Sequence, residues 1–84
     1  MRSIAIISGI LENPQQTQQQ FNEIVSTHRG MIKGRMGIPL EEYDIAMVSL
    51  SVIASLDQIN TLTGQLGKLH GVTVKTAISK KQIP

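Results

Sequence analysis

An α+β sandwich is the fold class this 84-residue chain predicts: four antiparallel strands with both helices on one face of the sheet. Three observations predict it. Ile45–Ala54 (IAMVSLSVIA) runs without a charge, a Gly or a Pro and is rich in β-branched residues, the mark of a central strand. Arg2–Leu11 sets Ile4, Ile6 and Ile10 against Ala5, Ile7 and Leu11, so it too is apolar on both faces and belongs in the sheet interior. Two stretches of helical period then fall one in each half of the chain, each between segments of strand period.

The first helix is expected to start at Asn13-Pro14, with Asn capping the free backbone N–H groups and Pro filling the first turn. Phe21, Ile24, Val25 and His28 recur at i, i+3, i+4 and i+7 as one buried stripe, and Gly30 is expected to end the helix as a left-handed cap. Met31–Ile38 alternates but carries Lys33 and Arg35 on one side and two glycines, which reads as an edge strand. Pro39-Leu40-Glu41-Glu42 connects it to the central strand, and the charges of Glu41, Glu42 and Asp44 keep that turn in water. Ser55-Leu56-Asp57-Gln58 matches the S-x-x-Q capping box. Ile59, Leu62, Leu66 and Leu69 follow as the second buried stripe, stopped by Gly71. Gly64 and Gly67 within it imply close approach of another backbone, since each costs about 1 kcal/mol against Ala. Val72–Ile78 alternates as the last strand, and KKQIP is expected to be a loose tail.

The order strand–helix–strand–strand–helix–strand, with right-handed crossovers, gives a ferredoxin-like βαββαβ sandwich over residues 1–84 as one domain. The first and third strands take the interior positions. In the central strand Ala46, Val48, Leu50 and Val52 face the core, whereas Ile45, Met47 and Ile53 share the other face with Ser49 and Ser51. That second face is too apolar for water, and with both helices on the opposite side it needs a second chain. Ile45, Met47, Ser49, Ser51 and Ile53 are therefore the expected oligomer interface, in a homodimer or homotetramer. A chain of this length buries only roughly 60% of its unfolded surface, which makes help from a partner the more useful.

Composition narrows the function. No cysteine means no disulfide framework and no thiolate chemistry, in keeping with a reducing cytoplasm. The N-terminal apolar run is too short for a bilayer or a signal peptide, so no membrane role is expected. Net charge is only +2, the Lys and Arg residues form no helical stripe, and Phe21 and Tyr43 are the only aromatics. Nucleic acid is thus disfavoured as a partner, and a DNA-binding transcriptional regulator stays as the alternative. His28 and His70 stand at helix ends, where the backbone dipole favours them without any catalytic or metal role. The Glu41, Glu42 and Asp44 carboxylates read as a solvated turn rather than a cation site. No acid–base or nucleophile pair and no phosphate loop is present, so no catalytic residue, metal or cofactor is expected, and a small enzyme at a subunit cleft is the least favoured class.

Two places remain for a ligand. Arg35, leaving the edge strand ahead of Gly37 and Pro39, is placed to present a guanidinium to an anion or a carboxylate. Asn13 and Gln15 lie at the first strand–helix junction, where helix N–H groups can receive a carboxylate. Asn13, Gln15, Arg35 and Gly37 are the candidate ligand-binding residues.

With this layout the chain resembles ACT-type regulatory domains, which share the element order and often carry Asn/Asp-x-Pro-Gly at the first strand–helix turn, where dimers bind amino acids. Glu12-Asn13-Pro14-Gln15 matches in part and departs at Gln15, where Gly is expected. The C-terminal domain of the nickel-responsive repressor has the same fold, but its metal-binding Cys and His residues have no counterpart here. A closer resemblance covers nearly the whole chain. Arg35-Met36-Gly37-Ile38-Pro39, the strand at Ala46-Met47-Val48, and Thr63-Gly64-Gln65-Leu66-Gly67-Lys68-Leu69 running into Gly71-Val72-Thr73-Val74-Lys75-Thr76 resemble the family of iron-only hydrogenase system regulators. The resemblance implies a stand-alone ACT-like protein that regulates the [FeFe]-hydrogenase maturation system; a small-molecule effector or a partner protein is the expected ligand of such a homo-oligomeric module. It brings no assigned site residues with it.

Overall fold

The computed structural model describes residues 1–84, in the order β1 (Arg2–Glu12), α1 (Pro14–Thr27), β2 (Ile32–Leu40), β3 (Ile45–Ala54), α2 (Leu56–Gly67) and β4 (Val72–Ile83). Short 3-10 turns at Arg29–Met31 and Glu41–Tyr43 lead into β2 and β3. The sheet order is β2-β3-β1-β4 with every pairing antiparallel, so the two strands that are apolar on both faces occupy the interior as expected.

The core lies between the sheet and the helices. Ala5, Ile7 and Leu11 of β1 and Val48, Leu50, Val52 and Ala54 of β3 face Phe21 and Val25 of α1 and Ile59, Leu62 and Leu66 of α2. Ile59, Leu62, Leu66, Leu11 and Leu50 are completely shielded from solvent. Each such side chain contributes about 1.5–3 kcal/mol through burial. This is the amphipathic stripe each helix carries, laid on alternate residues of the interior strands.

The termini of the helices separate two kinds of local signal. At α2 the capping box forms in full: Gln58 N–H donates to Ser55 Oγ at 3.2 Å, and Ser55 N–H donates to Gln58 Oε1 at 3.0 Å. At α1 the expected Asn13 side-chain cap is absent. Asn13 instead adopts a left-handed conformation (φ 52°, ψ 64°), and its backbone N–H donates to Asp44 O at 3.0 Å. Asn serves either purpose, because its short polar side chain also tolerates the left-handed region. The Thr17 hydroxyl donates to Glu12 O and Asn13 O, which ties the first turn of α1 to the strand before it.

Three glycine expectations and one for the tail are corrected. Gly30 is not a left-handed cap; it sits in the 3-10 turn, and Gly71 is the glycine with positive φ (+80°). At Gly71 a Cβ would come 3.2 Å from Thr17 Cγ2 and 3.4 Å from Glu12 O, so space and dihedral both require glycine. Gly64 faces open space rather than a neighbouring backbone, and Gly67 approaches a side chain, Val74 Cγ2, rather than a main chain. The KKQIP tail is not loose. β4 continues to Ile83, with Gln82 opposite Ser3 and Ile83 opposite Arg2, after a bulge that places Ser79–Lys81 beside Ile4. The length of β1 provides the template, a long-range pairing that a charged tail composition does not reveal. Likewise Met31, assigned to the edge strand by alternation, is buried in the turn before it.

Candidate functional site

The face of the sheet away from the helices is open. Cross-strand pairing aligns Ile4 with Ile53, Ile6 with Ser51 and Ile10 with Met47, and β2 extends the patch with Met36 opposite Ser49 and Ile38 opposite Met47. Exposure is 48% at Ile6, 47% at Ile10, 46% at Ile38 and 65% at Met36. Ile45, Met47, Ser49, Ser51 and Ile53 all lie on this face. Met36 and Ile38, which sequence reasoning left out of it, join them across the β2–β3 ladder, and β1 adds Ile4, Ile6 and Ile10. The two-sided hydrophobicity of β1 was the signal that could have found it.

Arg35 stands on the opposite face of β2. Its guanidinium lies over the Phe21 ring, 5.8 Å from the centroid, and one terminal nitrogen donates to Asn22 Oδ1 at 2.7 Å. The edge strand overhangs α1, so a charged side chain on its helix side roofs the aromatic instead of pointing freely into water. Beside it a groove of about 310 Å³ runs between the start of α1 and the β2–β3 edge, lined by Pro14, Gln18, Arg35, Gly37, Ile38, Pro39, Ala46, Met47 and Val48. Ile38 and Met47 belong both to this groove and to the open face, so the groove borders it.

The four candidate ligand residues do not form one cluster. Arg35 and Gly37 line the groove together. Gln15 lines the adjoining cleft with Pro14, Pro39, Glu41, Asp44 and Ile45. Asn13 turns to a separate hollow with Glu12, Gln16, Thr17, His70 and Gly71. Gln18, one turn into α1, also lines the groove.

Two further polar pairs link elements away from the groove. His28 Nε2 lies 2.8 Å from Gln65 Oε1 and links the ends of α1 and α2, and Thr63 and Thr76 hydroxyls meet at 2.8 Å between α2 and β4. No three His, Asp or Glu side chains converge on a point that would hold a metal ion, and no helix is long and apolar enough to cross a membrane.

Such a sandwich, open on one side and with a groove at its border, is a ferredoxin-like βαββαβ fold. Residues 3–76 match the TM1266-like family model, described as "Iron-only hydrogenase system regulator, putative", and the chain belongs to that family. It is similar to the uncharacterized protein TM1266 from Thermotoga maritima, at 30% identity and a TM-score of 0.91 over 95% of this chain and 100% of that one. More distant likenesses concern the fold alone. SnoaB, a cofactor-independent oxygenase from Streptomyces nogalater, is 10% identical with a TM-score of 0.58, covering 100% of this chain and 97% of its own. The apo form of CPII, a nitrogen regulatory PII-like protein from Thiomonas intermedia K12, is 13% identical with a TM-score of 0.52, covering 94% and 95%. No curated protein matches the chain.

Proposed function

We propose that the protein is a cytoplasmic, non-enzymatic regulatory module of the iron-only hydrogenase system. It acts as a homo-oligomer in which a second copy covers the open sheet face, and a small-molecule effector binds in the Arg35–Gly37 groove at the seam. One observation carries this: isoleucines and methionines on three adjacent strands stand exposed on one face of the sheet, interrupted by the Ser8–Ser49 pair and Ser51. A four-stranded face ten residues long spans about 500 Å² in projection. Side-chain relief raises that toward the roughly 800 Å² per partner of a standard interface. Family membership supports the regulatory role, and the absence of cysteine fits a reducing compartment. In the groove the guanidinium of Arg35 faces an apolar wall, a pairing suited to a small carboxylate.

Sedimentation equilibrium tests the assembly: a dimer or tetramer at micromolar concentration is expected, and a lone 9.2 kDa particle would refute it. A thermal-shift screen of small carboxylates tests the groove. A hit should raise the melting temperature and lose its effect in Arg35→Gln. Effectors whose shift survives that substitution would remove the groove from the proposal.

A further inference from the structure

At the end of the sheet remote from the Asn13 turn, a second cavity of about 470 Å³ opens between the termini of β1 and β3, the start of β2 and the first turn of α2. Arg2, Lys33, His28 and Gln58 line it together with Ile53, and no carboxylate does. Lys33 is set there by a β-bulge: Ile32 pairs with Val52 and Gly34 with Ser51, which leaves Lys33 unpaired in the ladder. Arg2 spends Nε and one terminal nitrogen on Pro84 O, and its other terminal nitrogen remains to donate.

The surroundings reinforce this sign of charge. The second bulge, in β4, sets Lys80 and Lys81 at the same end, and Arg29 lies in the turn before β2. Four of the six acidic residues, Glu12, Glu41, Glu42 and Asp44, sit at the opposite ends of the strands; Glu23 lies within α1, and Asp57, in the first turn of α2, is the one acidic side chain at the basic end. Ten residues of strand separate the two ends by about 30 Å. That is several Debye lengths at physiological salt, so the acidic end does not neutralise the basic one. A net charge of only +2 conceals this polarity.

We propose that this cavity binds a small phosphate-bearing anion. The remaining terminal nitrogen of Arg2 donates to a phosphate oxygen, the Lys33 ammonium adds a point charge, and the Gln58 side-chain amide supplies a neutral donor. The site does not use the groove and needs no residue from a second copy, although Ile53 on its wall also belongs to the open face.

The test is a titration of the ¹⁵N-labelled full chain with sodium pyrophosphate at matched ionic strength, followed by amide NMR. Saturable shifts at His28, Lys33, Ala54 and Gln58 are expected. Lys33→Gln, an exposed change at a bulge that leaves the core untouched, should weaken binding by at least about tenfold. Arg2→Gln should do the same, and Lys68→Gln at the other end should not. Shifts that fail to saturate, that follow added chloride equally, or that survive Lys33→Gln would overturn the proposal. So would a random-sequence DNA duplex that binds the same residues while pyrophosphate does not.

Discussion

Replacing Ile6 and Ile10 together by Thr weighs the open face directly. Both side chains lie at the centre of the patch, between Ser51 and Ala77 and between Met47 and Thr73 respectively. Their own chain already covers about half of each, since 48% and 47% remain exposed. Full burial of an isoleucine is worth about 1.5–3 kcal/mol, so a second copy covering the exposed half gains about 1 kcal/mol per side chain. Thr keeps one methyl and adds a hydroxyl, and we take a loss of about 0.7 kcal/mol per side chain. In a two-fold dimer each position counts twice, which gives about 3 kcal/mol in total and a dissociation constant raised about 100-fold. Thr is a good strand former, so the subunit stays folded. Ile78→Thr is the control. It is 40% exposed but pairs with Ala5, on the helix side of the sheet. Sedimentation equilibrium across a wide concentration range reads the constants. An unchanged constant in the double variant, or an equal loss in Ile78→Thr, would refute the assignment of the face.

Thermal unfolding checks the remaining local claims. Ser55→Ala removes the acceptor for Gln58 N–H and should cost about 1 kcal/mol. Gly71→Ala should destabilise by more than about 1 kcal/mol, because φ is +80° and Thr17 Cγ2 stands 3.2 Å from the new Cβ. Gly64→Ala in the open middle of α2 should instead stabilise by about 0.5–1 kcal/mol. Leu62→Ala, wholly buried between α2 and the sheet, should cost about 2–5 kcal/mol in denaturant titrations.

Most of the fold is legible in the sequence because hydrophobic period and burial coincide. β1 and β3 alternate between two apolar faces, and only an interior position satisfies that. Ser55 and Gln58 sit at the one spacing where each satisfies the other's backbone. What stays hidden depends on contacts distant in sequence. The pairing of Gln82 and Ile83 with Ser3 and Arg2 joins the two ends of the chain, and local composition carries no trace of it. Gly30 and Gly71 both follow helices, yet only Gly71 meets a backbone that forces a left-handed turn. The candidate site was half legible. Arg35 and Gly37 share a groove, whereas Asn13 lines a separate hollow with His70 and Gly71, residues far from it in sequence. The basic end was invisible for a related reason: two bulges gather lysines that are far apart along the chain.

The groove and the open face share Ile38 and Met47, and this has a thermodynamic consequence. A second copy that packs on these two side chains fixes one wall of the groove, so effector binding and association are linked. Linkage is reciprocal: if association raises effector affinity tenfold, saturating effector tightens association by the same factor per site. Ile6 offers the cleanest probe, because its cross-strand partners Ser51 and Ala77 lie outside the groove. Ile6→Thr should therefore weaken a carboxylate identified by thermal shift at protein concentrations where the variant is dissociated. It should leave that affinity intact where the variant is driven back into the oligomer. Calorimetric titration at the two concentrations measures both. Equal affinities would mean that the groove is complete within one subunit, and that any signal it receives passes through the chain without reaching the sheet face.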